Sequence, residues 1–306
     1  DSRMGLPSEG ILEMHYQRAL KQGAIPAYAQ NARNGFTGVI GILRCGEGPV
    51  TALRFDIDAL PITEDAGSSH LPFTEGFLSQ NLGFMHACGH DGHTAIGLIV
   101  ARILTEMTDW LSGTVKLIFQ PAEEGVRGAR SVAQKGHLND VDWLVGSHIF
   151  PYSQPGEQIG VSIGPTLATT KLNAVFSGLS SHAALPEKGH NAMLSMASAI
   201  LNLHAIPRHS DGPSQVNVGT AHAGSGRNVI CDQAKLELEV RGANTEINHY
   251  MEEYARVILQ SSAAMHSCTC RIETVGSAPS VINDPEMISL LQEAVGDLHL
   301  TLRTPD

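Results

Sequence analysis

Met85-His86-Ala87-Cys88-Gly89-His90-Asp91-Gly92-His93 sets three imidazoles, one thiol and one carboxylate into nine residues. Thiolate and imidazole are good ligands for zinc and other borderline divalent ions. Cys88 and His90 stand two apart, so a turn lets both reach one site. A second cluster, Gln120-Pro121-Ala122-Glu123-Glu124-Gly125, follows an apolar run. Adjacent carboxylates at the end of a strand can divide roles, one binding metal and the other moving protons. Ser147-His148 and the pair Asp56 and Asp58 complete the set. Taken singly, each has an ordinary explanation: a polar helix cap with inert His and Cys, solvated carboxylates, a turn cap.

The surrounding apolar pattern gives these clusters a common frame. Val50–Ile57, Val115–Phe119 and Trp143–Val145 read as strands, and Ile96, Ile99, Val100, Ile103, Leu104 and Met107 recur at helical spacing. Strands separated by helices predict an α/β catalytic domain with a mostly parallel sheet flanked by helices. The polar clusters then fall at the C-terminal ends of strands, where open α/β sheets hold their ligands. The stretch Gly160–Thr170 is rich in Gly, Ser and Thr and reads as a linker. Beyond it come a strand at Leu172–Phe176, a helix at Ala192–Leu203 and a half-buried strand around Leu236, Leu238 and Val240. Asn244 or Thr245 can cap a helix with Ile247, Met251, Tyr254 and Ile258 on one face. Gly276–Pro285 reads as a loop before a helix at Met287–Val295. An inserted α+β domain is therefore expected at 168–278, with 1–167 and 279–306 forming the catalytic domain.

Composition narrows the partners. The chain has 306 residues, with 20 Lys and Arg against 31 Asp and Glu, a formal net charge of −11. This acidity, with no basic run, argues against nucleic acid and anionic membrane. No apolar run approaches a membrane span, and Asp1-Ser2-Arg3-Met4-Gly5 does not read as a signal peptide. Five cysteines, an odd and low count, predict no disulfide framework and a reducing compartment, most simply the cytoplasm. Cys268 and Cys270 would share one face of a strand, which fits a buried apolar role. A Cys-nucleophile hydrolase using Cys88 with His86 or His90 is a competing reading, made sterically doubtful by their closeness in one turn.

The motifs together resemble a known family. Asp56-Ile57-Asp58-Ala59-Leu60-Pro61, Met85 to Ala95, Phe119 to Gly125, Gly146-Ser147-His148, Ser181-His182-Ala183-Ala184-Leu185-Pro186 and Gly189-His190-Asn191-Ala192 are similar to the metal-dependent aminoacylase/amidohydrolase family of the zinc-peptidase type. Stretches at 2–7, 35–38, 124–130 and 223–229 resemble its p-aminobenzoyl-glutamate-cleaving branch. The resemblance implies hydrolysis of that amide to p-aminobenzoate and glutamate, or of another N-acyl amino acid or dipeptide such as hippurate. It implies two divalent ions, Mn or Zn with Co also possible, held by Cys88, His90, Glu124 and His148. Glu123 matches the general base and Asp58 a carboxylate that orients a ligand, while His86, Asp91 and His93 are either supporting groups or structural. The inserted domain matches a lid and dimerisation domain. His182 corresponds to a His that stabilises the oxyanion in the partner subunit's site, and Asn228 and Arg241 match positions that grip the substrate carboxylate. Cys45, Cys231, Cys268 and Cys270 match no catalytic position. A homodimer or a heterodimer with a homologous subunit is expected. The family also extends beyond both ends of this sequence and carries a final ligand His there, so the matched ligand set is one short. An inactive, metal-binding dimerisation subunit is the alternative that this implies.

Overall fold

The computed structural model describes residues 7–149, 158–161, 165–298 and 301–303. The chain divides into two compact units, Asp1–Tyr152 and Ser153–Asp306. The first contains α1 (Glu9–Lys21), α2 (Pro26–Ala32), β1 (Val39–Arg44), β2 (Val50–Asp56), α3 (Leu71–Thr74), α4 (His90–Glu106), β3 (Thr114–Gln120), α5 (Gly128–Gln134) and β4 (Trp143–Gly146). Its sheet has the order β1-β3-β2-β4, with β2 parallel to both β3 and β4 and β1 antiparallel at the edge. The α/β class and the mostly parallel sheet are as the alternation of elements predicts. Register aligns the chemistry: Asp56 pairs with Gln120, and Arg54 pairs with Gly146. The polar segments that follow β2, β3 and β4 therefore leave the sheet at the same edge. Ala52, Phe55, Leu117 and Ile118 are buried in the sheet. Gly97 lets α4 lie close on it, because a Cβ there would meet the Phe119 and Phe55 rings at 2.7 and 2.9 Å.

The second unit contains β5 (Gln158–Gly160), β6 (Ala168–Ser177), α6 (Ala192–His204), β7 (Ser214–Ala223), β8 (Gln233–Gly242), α7 (Thr245–Met265), β9 (Thr269–Ala278), α8 (Pro285–Asp297) and β10 (Thr301–Arg303). Its main sheet, ordered β7-β8-β6-β9, is antiparallel throughout. Alternation along β6 and β8 turns Leu172, Phe176, Leu236 and Val240 towards α6 and α7, where Leu203, Met251 and Leu259 complete a buried core. Caps fix where the helices begin. Asn191 Oδ1 accepts from Met193 N at 3.0 Å, and Asn244 Oδ1 accepts from Ile247 N at 2.8 Å.

Some expectations change. The linker stretch is partly strand, since β6 begins at Ala168, and the loop expected from Gly276 begins later because β9 runs on through Ala278 beside β6. On α7 the buried face is Ile247, Met251, Ala255 and Leu259, whereas Tyr254 is exposed and its ring lies 4.8 Å from that of Tyr250. Small Ala255 takes the inward position and leaves the bulky phenol outside. The expected inserted domain, 168–278, lies within the second unit. Cys268 is buried and Cys270 packs on the same core, and all five cysteines are free thiols. No helix among the described residues is long and apolar enough to cross a membrane.

Candidate metal centre

Two turns shape the centre. Gly89, at φ +80°, is the N-cap of α4, a left-handed conformation in which a side chain is strained. It reverses the chain between Cys88 and the helix carrying His90 and His93. The Glu123-Glu124-Gly125 turn lies between two left-handed residues that are not glycine, Ala122 at φ 54° and Val126 at φ 55°. Such conformations cost about 1–3 kcal/mol each, and here they hold a tight loop closed by Val126 N to Glu123 O at 2.7 Å and Gly128 N to Ala122 O at 3.0 Å. Gly128 is required there, since a Cβ would stand 1.6 Å from Pro121 O.

Cys88, His90 and Glu124 bring one ligand atom each within 4.8 Å of one another. Asp56, His90, His93 and His148 form an overlapping group by the same measure. Cys88 Sγ lies 3.4 Å from His148 Nε2, which joins the two. The structure thus brings together Cys88, His90, Glu124 and His148, the four residues matched as ligands. His90 Nε2 is buried and makes no hydrogen bond. It faces carboxylate oxygens of Asp56 at 3.7 Å, Glu123 at 3.9 Å and Glu124 at 4.0 Å. These gaps are too wide for hydrogen bonds. They are near the roughly 3.3–3.8 Å between neighbouring ligands of one tetrahedral ion with bonds of about 2.0–2.3 Å. The donor set and the orphaned nitrogen both fit a divalent cation.

Supporting bonds fix the ligands. His90 Nδ1 lies 3.0 Å from the Asp58 carbonyl, so Nδ1–H donates and the Nε2 lone pair points into the crevice. Asp58 Oδ2 accepts from Glu124 N at 3.0 Å. Asp58 thereby steadies two of the matched ligands, one through its backbone and one through its carboxylate. His93 is different, because both ring nitrogens are used. Nε2 accepts from Ile149 N at 2.8 Å, and protonated Nδ1 donates to Asp56 Oδ1. This pair is buried and anchors the backbone next to His148. Arg54 bridges the outer side, with Nη1 on Asp56 Oδ2 at 2.7 Å and Nε on Gln120 Oε1 at 2.9 Å. The specific role of Asp56 with His93, and that of Arg54, escaped sequence reasoning. The available signal was a charged residue inside an apolar strand, two before a strand-end carboxylate.

The charges around the centre explain its titration. Burial would raise the Asp56 carboxyl, but the His93 hydrogen bond and the Arg54 charge prevail and hold it below its ordinary value. Burial pushes Glu123 up, and neighbouring Glu124 and Asp56 push the same way against Arg54. A carboxylate raised in this manner is a better base. Burial and then the Glu124 charge push the Cys88 thiol up to about 11. A thiol so placed is a poor nucleophile without a cation beside it. His86 and His90 both aim Nδ1 at the Asp58 carbonyl, at 3.2 and 3.0 Å, and neither is set as a base for Cys88.

The remaining predicted residues lie in the second unit. His182 bridges to Val229, and Ala183 N donates to Asn228 O at 3.0 Å, so the His182 and Asn228 loops are adjacent. His182 Nδ1 accepts from Ala184 N at 3.1 Å, which sets the tautomer with Nε2 protonated. Arg241 is not with them. It sits near the far end of β8, opposite Thr169 and Gln215, and pairs with Glu239 at 2.9 Å. From Gln233 to Arg241 the strand extends roughly 25 Å at about 3.3 Å per residue.

A crevice at the end of a parallel sheet that gathers thiol, imidazole and carboxylate groups fit to hold a divalent cation, beside a second antiparallel-sheet unit, agrees with a metal-dependent hydrolase, and the relatives specify amide bonds. The chain belongs to Peptidase family M20/M25/M40, which matches residues 52–305. It is 45% identical over 293 residues to one of the subunits of p-aminobenzoyl-glutamate hydrolase of Escherichia coli K12, covering 95% of this chain and 67% of that protein. It is also 45% identical over 295 residues to indole-3-acetyl-aspartic acid hydrolase of Enterobacter agglomerans, covering 96% and 67%. Among solved structures, it is similar to the aminobenzoyl-glutamate utilization protein from Klebsiella pneumoniae, with TM-score 0.83 and 36% identity, covering 99% of this chain and 72% of that one.

Proposed function

We propose that this chain hydrolyses p-aminobenzoyl-glutamate to p-aminobenzoate and glutamate. The buried, orphaned His90 Nε2 facing three carboxylates is the observation that carries the metal chemistry. The relatives at 45% identity support the substrate, since the names of both describe an acyl group joined to an acidic amino acid. N-acyl-aspartate is the second reading, favoured by the Enterobacter relative. Cys88, His90, Glu124 and His148 would hold two divalent ions. The thiolate suits zinc and the carboxylates suit manganese, with cobalt also compatible. Such ions lower the pKa of an attacking water and polarise the amide carbonyl. Glu123 takes the proton of the water as its oxygen bonds to the carbonyl carbon. It then delivers that proton to the amide nitrogen as the C–N bond breaks, and the freed amine leaves as glutamate. Asp58 keeps His90 and Glu124 in place throughout.

The oxyanion and the substrate carboxylate fall to the second unit, as lid. The length of β8 between the His182 and Asn228 loops and Arg241 supports a site shared by two subunits. In such a dimer the partner subunit's His182 and the partner subunit's Asn228 act with Arg241 of the first chain. The partner is a second copy or a homologous chain, a reading supported by the Escherichia coli relative, whose name makes it one subunit of its hydrolase. Five free thiols accord with the cytoplasm. The test is release of p-aminobenzoate from p-aminobenzoyl-glutamate, beside hippurate and indole-3-acetyl-aspartate. Turnover should be highest on the first, stop with a chelator and return with Mn or Zn. Chelator-resistant turnover would overturn the mechanism, and preference for hippurate would overturn the substrate.

A further inference from the structure

Glu239 and Arg241 stand on the face of β8 turned away from the apolar core, directly opposite Asn217 and Gln215 on β7. With Arg208 from the loop after α6, these residues line a cavity of about 380 Å³. A cavity of this size suits a small ligand. Glu239 engages the Nε and Nη2 of Arg241 through one carboxylate oxygen, each at 2.9 Å. That pairing orients the Arg241 guanidinium and offsets its charge. Arg208 has no such partner among the described residues, so the cavity keeps a net positive charge in a chain whose formal charge is −11.

The loop that carries Arg208 is held on both sides. The residue before it, Pro207, accepts a hydrogen bond from Tyr250 Oη at 3.0 Å. The residue after it, His209, donates its N–H to Ser214 Oγ at 3.0 Å and accepts from Asp211 N at Nδ1, at 3.2 Å. The His209 ring also meets the Tyr250 ring edge-on at 5.1 Å. The backbone is thus fixed while the guanidinium stays open, the arrangement expected of a preorganised anion contact. Gln215 and Asn217 add amide donors on the opposite strand.

We infer that Arg208 is a specificity-determining residue that receives the side-chain carboxylate of the substrate's acidic amino acid, while Arg241 holds its α-carboxylate. This rests on the reading of Arg241 as a substrate contact and of the chain as an N-acyl amino acid hydrolase. Two guanidinium groups match the two carboxylates of a glutamate or aspartate conjugate, and a neutral amino acid leaves Arg208 without its ligand.

The test compares p-aminobenzoyl-glutamate with p-aminobenzoyl-glutamine, which keeps the acyl group and α-carboxylate but lacks the second charge. It uses metal-loaded enzyme with any partner chain that copurifies with it. Wild type should favour the glutamate substrate in kcat/KM by on the order of tenfold to a hundredfold. Arg208→Ala should erase that preference by raising KM on the glutamate substrate alone, and Arg208→Lys should restore part of it. Titration calorimetry with free glutamate and glutamine should lose the same discrimination in Arg208→Ala. An equal fall on both substrates, or an unchanged preference, would overturn the role of Arg208 and leave the hydrolase reading standing. Wild type that turns over neither substrate would overturn the hydrolase reading itself, and the Arg208 assignment with it.

Discussion

The two units bury different things. In the second, the fully buried large side chains are mostly apolar, with Phe176, Leu172, Leu203, Leu236, Met251 and Leu259 between sheet and helices. In the first, the fully buried large side chains among the described residues are Asp56, His90 and His93. Burial of polar groups opposes folding unless they are paired; Asp56 and His93 pair with each other, while His90 Nε2 is left orphaned beside half-buried Cys88 and Glu124 and exposed His148. The second is stabilised by area removed from water and places its functional groups at strand ends and loops. The proposed metal chemistry therefore draws on buried polar groups of the first unit, and the proposed substrate contacts on exposed and half-buried groups of the second.

Breaking this contrast gives the largest effects. His90→Ala removes the imidazole shared by both ligand groups, and metal content and turnover should both be lost, read by elemental analysis and assay. The counterpart in the second unit is Leu259→Ala. It should cost about 2–5 kcal/mol in denaturant unfolding, yet leave metal content per folded molecule unchanged. Asp56→Asn keeps the shape but weakens the grip on His93. Metal affinity should fall about 10–100-fold, measured by competition with a chromophoric chelator.

Acid sharpens the contrast further. Asp56 is held below its ordinary value in the folded chain, so its contribution is present above that value and disappears as pH falls through the lowered folded one. The metal-free first unit should therefore lose stability below about pH 4, and Asp56→Asn should remove this component. The smallest effect is on thiol chemistry. With Cys88 pushed up to about 11, metal-free protein at pH 8 should alkylate there far more slowly than a free cysteine. Peptide mapping after brief iodoacetamide treatment reads this, and rapid labelling would revive the Cys-nucleophile mechanism.

Much of the first unit was legible because its signals are local. β2, β3, β4 and α4 announce themselves by apolar runs and helical spacing, and the ligand types sit beside them. β1 did not, since it is an edge strand with exposed apolar side chains and Gly41 inside it. β7 did not either, because its register shifts between Val218 and Thr220 and interrupts alternation. The Asp56–His93 pair spans 37 residues, and only the fold shows that the β2 end and the first turn of α4 meet. The separation of Asn228 from Arg241 is a matter of strand length, but it becomes meaningful only once β8 is known to be one unbroken strand.

The central claim is that the first unit's crevice binds divalent metal for hydrolysis and that Glu123 moves the proton. Turnover of p-aminobenzoyl-glutamate by Glu123→Gln, measured with bound metal in the same sample, tests it most directly. Metal content should match wild type while kcat falls by about 10²–10⁴. Near-normal turnover with metal retained would contradict the account.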